Sequence, residues 1–144
     1  MVARPVIRVA AALIVDGTGQ LLLVRKRGTG MFMQAGGKIE PQETPLAALV
    51  RELGEELGLT LDGNTFEYLG RFDTQAANEH GHDLIAEVFA VETDQVPVAA
   101  AEIDELRWVD PASHEGIPLA PLTTDVLIPL ALDRWTRAAN PRIH

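Results

Sequence analysis

The chain has no cysteine among its 144 residues. Disulfides, thiolate zinc sites and cysteine nucleophiles are thereby excluded, and the absence suits an intracellular protein. Positive charge is also short: 12 Lys and Arg stand against 21 Asp and Glu, a net charge of −9. A protein whose main partner is a nucleic-acid polymer normally shows a basic face, so no such partner is expected. A small phosphorylated substrate stays compatible with the acidity, provided metal ions lie between phosphate and carboxylates. Long hydrophobic runs are missing too. The opening stretch MVARPVIRVAAALIVDGTG has neither the apolar length of a membrane span nor the cleavage site of a signal peptide, and it stops at the turn signal Asp16-Gly17. A cytoplasmic protein without membrane contact is the expectation. No repeat, low-complexity tract or long linker interrupts the chain, so residues 1–144 are read as one domain. Its 47% hydrophobic and 23% charged residues are ordinary for a globular fold with a single core.

Residues 6–15, VIRVAAALIV, form a β-branched apolar run that predicts a buried strand. The turn Asp16-Gly17-Thr18-Gly19 leads to a second strand, QLLLVRKR, and the two together read as a hairpin. A glycine-punctuated loop is expected from Gly28 to Gly37. Further strands are predicted at 65–73, 83–91 and 105–109. A last helix is predicted over 123–138, with Thr123 or Thr124 as its cap and Pro129 kinking or splitting it. Strands with one helix in the middle and one at the end indicate an α/β/α sandwich around a mixed sheet.

The clearest helix runs from Thr44 to Leu57. Thr44 suits the N-cap, Pro45 the first helical position and Gly58 the left-handed residue past the end. At about 100° per residue, Leu46, Leu49, Val50, Leu53 and Leu57 share one core-facing arc. Glu52, Glu55 and Glu56 share another arc beside it. Like charges three and four apart on a helix cost roughly 0.2–0.5 kcal/mol per pair, and Arg51 is the only basic residue nearby. Gly54 adds up to about 1 kcal/mol relative to alanine. Either the helix tolerates these costs, or a bound cation completes the charge.

Gly37, Glu43, Arg51-Glu52-Leu53, Glu55-Glu56 and Gly58-Leu59 fit the pattern G-x5-E-x7-R-E-U-x-E-E-x-G-U, where U is a bulky apolar residue. With a basic-ended strand before it and RWV followed by a helix after it, the chain resembles the Nudix (MutT-type) hydrolases over essentially its whole length. The box spans residues 37–59. The resemblance implies the Nudix fold and hydrolysis of a nucleoside diphosphate linked to a further group, by water attack at a bridging phosphorus. Normal or oxidised nucleoside triphosphates are the first substrate class, and ADP-ribose or nucleotide sugars the alternative. Mg²⁺ is the implied cofactor, with Mn²⁺ as substitute, because hard divalent ions take oxygen ligands and share them with phosphates. A nucleotide-sensing module without catalysis is a different class of reading; such modules typically lose box glutamates, and all are present here. The family leaves a homodimer open.

Carried over position by position, the resemblance makes Gly36, Glu52, Glu55 and Glu56 metal ligands. Glu102 would be a further ligand, with Glu105 its rival. Glu52 would also be the candidate base, Glu55 an assistant, and Arg51 with Glu43 a supporting ion pair. Arg25, Lys26 and Lys38 could meet phosphate; their plain alternative is a solvated strand end. Asn78 or Asp125 could read a base edge. Ala35 replaces the usual proline before the glycine pair, and Gln42 replaces a common glycine before Glu43, which puts loop shape in question rather than chemistry. His80 and His82 read as loop residues, His114 and His144 as surface, and Trp108, Trp135, Phe72 and Phe89 as core.

Overall fold

The computed structural model describes residues 5–75 and 83–139. Six strands build one mixed sheet: β1 (Val6–Ile14), β2 (Leu21–Lys26), β3 (Met33–Lys38), β4 (Glu67–Gln75), β5 (Asp83–Val91) and β6 (Ile103–Val109), in the order β4-β5-β1-β3-β2-β6. β1 and β5 are parallel, and the other pairings are antiparallel. Helix α1 (Pro45–Leu57) covers one face, and a π-helical turn (Thr123–Leu127) followed by α2 (Ile128–Ala139) covers the other.

The two-residue period of β1 feeds both layers. Ala10, Ala12 and Ile14 pack with Leu49, Leu53 and Leu57 of α1, while Ala11 and Leu13 pack with Leu127, Ile128 and Ala131. A strand buried on both faces needs a near-continuous apolar run, which is what residues 9–15 supply. Thr44 caps α1 by accepting from Ala47 N–H at 3.1 Å. Gly58, at φ 66, closes the helix by donating to the Gly54 carbonyl.

Four sequence expectations are corrected. The turn after β1 forms, with the Asp16 carboxylate accepting from Thr18 and Gln20 N–H, but β1 and β2 do not pair along their length as a hairpin. They separate beyond the Val15–Leu21 bridge, and β3 lies between them. The expected loop Gly28–Gly37 therefore ends as a strand. Its glycine pair lies against Ala10 and Ala11 of β1, where absent side chains permit close approach rather than marking a turn. At the chain's end, neither threonine caps a helix through its side chain. Thr123 Oγ1 donates to Gln34 Oε1 at 2.8 Å, and Thr124 Oγ1 donates to the Ala120 carbonyl. Pro129 is the second residue of α2, after the π turn, so the segment is divided. Trp108 is 37% exposed rather than core, because β6 is an edge strand. Phe89 is buried and Phe72 half-buried. The Trp135 side chain, His80, His82 and His144 lie outside the described residues. No helix among the described residues is long and apolar enough to cross a membrane.

Leu53 is wholly buried, so Leu53→Ala is expected to cost about 2–5 kcal/mol in denaturant unfolding. A methyl group on exposed Gly54 would meet only the Leu59 carbonyl oxygen, at 3.5 Å. Gly54→Ala is accordingly expected to raise stability by about 0.5–1 kcal/mol.

Candidate active site

The C-terminal half of α1 lies against β3, and the contact is a carboxylate on a glycine backbone. Glu56 is only 2% exposed. Its Oε1 accepts from Gly36 N–H at 3.1 Å, whereas Oε2 is buried without any hydrogen-bond partner. Burial raises its pKa from 4.5 to about 7, opposed by the Gly36 hydrogen bond and by Lys26, and reinforced by Glu52 and Glu102.

The two glycines are required for different reasons. A Cβ on Gly36 would lie 2.1 Å from the Ala10 carbonyl oxygen, and the residue sits at φ 134. A Cβ on Gly37 would lie 2.4 Å from Glu52 Cδ. The first glycine lets β3 enter the sheet, and the second leaves the niche that the Glu52 carboxylate fills.

Arg51 organises the remaining carboxylates. It grips Glu43 through two hydrogen bonds, Nε to Oε2 at 2.8 Å and Nη2 to Oε1 at 2.9 Å. Its Nη1 donates to Glu52 Oε1 at 2.8 Å and lies 3.6 Å from Glu55 Oε2. Nη2 also donates to the Lys38 carbonyl at 3.2 Å. The Arg51 hydrogen bonds hold the Glu43 carboxyl down at about 2, helped by the Glu40 N–H, and the guanidinium's own pKa is raised in return. Part of the crowding on α1 is therefore relieved within the protein: Glu52 and Glu55 lean on Arg51, and Glu56 does not.

The basic residues divide. Lys26 Nζ lies 3.4 Å from Glu102 Oε1, and both charges act on Glu56. Arg25 is tied to Asp104 at 2.9 Å and to Glu105 at 3.4 Å, and it donates to the Thr29 carbonyl. It fastens β2 to β6 rather than joining the glutamates, and Glu105, the rival ligand, is its partner. Lys38 is exposed at the end of β3. Asp125 is exposed on the π turn, on the sheet face opposite α1. Asn78 lies outside the described residues. Sequence reasoning missed the Lys26–Glu102 pair and the Gln34–Thr123 bond, since neither has a local sequence signal.

A family model described as the NUDIX domain matches residues 5–127. The chain is a Nudix hydrolase. A CTP pyrophosphohydrolase of Escherichia coli (strain K12) is 31% identical over 143 residues, covering 93% of this chain and 98% of that one. The solution structure of the E. coli ORF135 protein aligns over 96% of both chains at 33% identity, with a TM-score of 0.69. The crystal structure of the MutT protein from Methanosarcina mazei Go1 shares the fold at a TM-score of 0.76 and 24% identity, over 95% of this chain and 99% of that one.

Nudix hydrolases generally use a divalent metal, and the residues present fit one. The orphaned Glu56 oxygen, the neighbouring Glu52 carboxylate and the glycine backbone form an all-oxygen donor set suited to a hard ion. Among the described residues no three acidic or histidine side chains already converge on one point, because Glu52 is drawn to Arg51 and Glu102 to Lys26.

Gly37→Ala is expected to abolish most activity while costing little stability, since the end of a flexible side chain can move aside. Gly36→Ala is expected to destabilise by more than about 1 kcal/mol, because the clash is with backbone and φ is left-handed. Comparing activity with chemical unfolding for the pair checks this. Glu43 titrates lower in the folded protein than its ordinary 4.5, so its contribution is full above that value and fades as pH falls toward 2. The melting-temperature gap between wild type and Glu43→Gln should follow that course.

Proposed function

We propose that the chain is a Mg²⁺-dependent pyrophosphohydrolase of nucleoside triphosphates, releasing a nucleoside monophosphate and pyrophosphate, with cytidine nucleotides as the first candidates. The observation that carries the reading is the Glu56 carboxylate, buried with one oxygen unpaired beside Gly36. A buried polar atom without a partner is costly, and a cation shared with phosphate oxygens removes that cost. The cytidine preference rests on the full-length relative named a CTP pyrophosphohydrolase.

Gly36, Glu52 and Glu56 would hold the ion, with Glu102 and Glu55 flanking it. When bound, Mg²⁺ supplies Lewis acidity at the phosphoryl oxygens and screens phosphate from the carboxylates. Glu52 is the base in this proposal. One of its oxygens is fixed by Arg51, and the other has no hydrogen-bond partner among the described residues, leaving it to take the proton of the attacking water. Water oxygen bonds to the phosphorus as the bridging phosphorus–oxygen bond breaks, and the departing oxygen leaves on pyrophosphate. Glu43 fixes the guanidinium that orients Glu52, and Lys26 and Lys38 stand where an anionic chain could be met. The lack of cysteine supports the cytoplasm as the place of action.

Pyrophosphate release should be measured with Mg²⁺ across cytidine, uridine, purine and oxidised-purine triphosphates, ADP-ribose and nucleotide sugars. The expectation is turnover of a triphosphate, cytidine foremost, reduced about 10²–10⁴-fold by Glu52→Gln. Turnover of ADP-ribose or nucleotide sugars alone would replace the substrate class, and silence with metal binding intact would favour a sensing role. Saturating Mg²⁺ should raise the wild-type melting temperature, by linkage worth about 2.7 kcal/mol at a hundredfold excess over Kd, and Glu56→Gln should remove that response.

A further inference from the structure

Lys26 stands at a break in a strand ladder. β2 pairs with β6 from Leu21–Val109 to Arg25–Glu105, after which the register slips and Lys26 pairs with Ile103. The slip leaves Asp104 as an extra residue on β6, the geometry by which bulges re-aim side chains beside active sites. Lys26 Nζ lies 3.4 Å from Glu102 Oε1, and Arg27 N–H donates to the Glu102 carbonyl at 2.8 Å.

Glu102 is delivered there by a strap from the end of α1. Val98 N–H donates to the Leu57 carbonyl and Ala100 N–H to the Glu56 carbonyl, each at 3.0 Å. Ala101 then turns at φ 54, a conformation that non-glycine residues seldom take. The ion pair is thereby fixed to the helix end that carries the buried carboxylate. Both of its charges reach Glu56, the ammonium favouring ionisation and the Glu102 carboxylate opposing it.

We propose that Lys26 is a built-in counter-ion for Glu102 that a divalent ion displaces, so that Glu102 passes to the ion and the freed ammonium meets the phosphates of the substrate. The inference rests on the metal-site reading above and adds a coupling to it. The Glu102 side chain is 61% exposed and that of Lys26 31%, so the pair is inexpensive to open. Exposed pairs are worth a factor of about two to five in an equilibrium. Because linkage is reciprocal, an ion that releases Lys26 strengthens phosphate binding, and bound phosphate strengthens ion binding by the same factor.

A cation near the site would also repel a dication through its field alone, and a double-mutant cycle separates the two effects. Mn²⁺ binding to the full chain, without substrate, can be followed by loss of the free-ion electron paramagnetic resonance signal. Wild type, Lys26→Met, Glu102→Gln and the double variant would be compared, with Lys26→Gln as a second neutral variant and melting in chelator to verify folding. The expected result is two- to fivefold tighter Mn²⁺ binding in Lys26→Met, with no such gain in the Glu102→Gln background. Inorganic pyrophosphate, added with Mn²⁺, should bind more weakly to Lys26→Met. An equal gain in both backgrounds, or no gain in either, overturns the exchange while leaving the metal site standing. Failure of wild type to bind Mn²⁺ overturns both.

Discussion

Everything near the site depends on one carboxylate being kept out of water. Glu56 is buried between a helix and a strand, with one oxygen bonded to a backbone N–H and the other to nothing. An unsatisfied buried polar group costs on the order of 1–3 kcal/mol, so the surrounding structure must offset that cost. Leu49, Leu53 and Leu57 on the adjacent face of α1 are all fully buried, and their burial is worth roughly 1.5–3 kcal/mol each. The same apolar stripe that makes α1 part of the core therefore holds Glu56 against β3. A helix anchored less firmly could rotate its carboxylate into solvent.

The partner of that carboxylate is backbone, which constrains the sheet as much as the helix. Gly36 presents its N–H from a strand lodged between β1 and β2, and any side chain there would strike the Ala10 carbonyl. Arg51 solves the rest of the charge problem inside the protein. By spanning Glu43, Glu52 and Glu55 it turns mutual repulsion among box glutamates into shared attraction to one guanidinium, and leaves Glu56 as the position with a deficit. A planar donor fork suits that task better than an ammonium would.

The extent to which this was legible follows the range of the interactions. Helix α1 could be read because its caps, its apolar period and its glutamate arc all lie within fifteen residues or so of one another. The metal-site hypothesis was legible for the same reason, since the box is a local pattern. Strand β3 was not, because glycines that serve a close strand contact look identical in sequence to glycines that serve a turn. The false hairpin arose similarly: the turn chemistry at Asp16 is real, but strand pairing beyond it is settled by β3, which comes later in the chain. The split of the basic residues into Arg25 with Asp104 and Glu105, and Lys26 with Glu102, hangs on a one-residue register slip between distant strands. No local signal encodes that slip.

Among the described residues, two non-glycine residues take positive φ, Gln42 and Ala101. Each immediately precedes a glutamate that holds a cationic side chain: Glu43 grips Arg51, and Glu102 faces Lys26. A left-handed alanine or glutamine costs about 1–2 kcal/mol, so strain placed before both of these carboxylates is unlike a random scatter of loop irregularities. Gln42, which stands where the family commonly has glycine, takes a left-handed backbone at φ 71. The turn therefore has a geometric purpose, which is to aim Glu43 back at Arg51. At Ala101 the turn aims Glu102 across the end of α1 at Lys26. Strained backbone persists only where its surroundings over-determine it, and here those surroundings are hydrogen bonds to the box itself: Glu43 Oε1 accepts from Glu40 N–H, and the strap before Ala101 is fastened to the Glu56 and Leu57 carbonyls. Two separate loops thus use the same device, a costly backbone turn that points a carboxylate at a cation. In the first the cation also holds Glu52, the base proposed above, and in the second it holds Glu102, the carboxylate proposed to pass to a divalent ion.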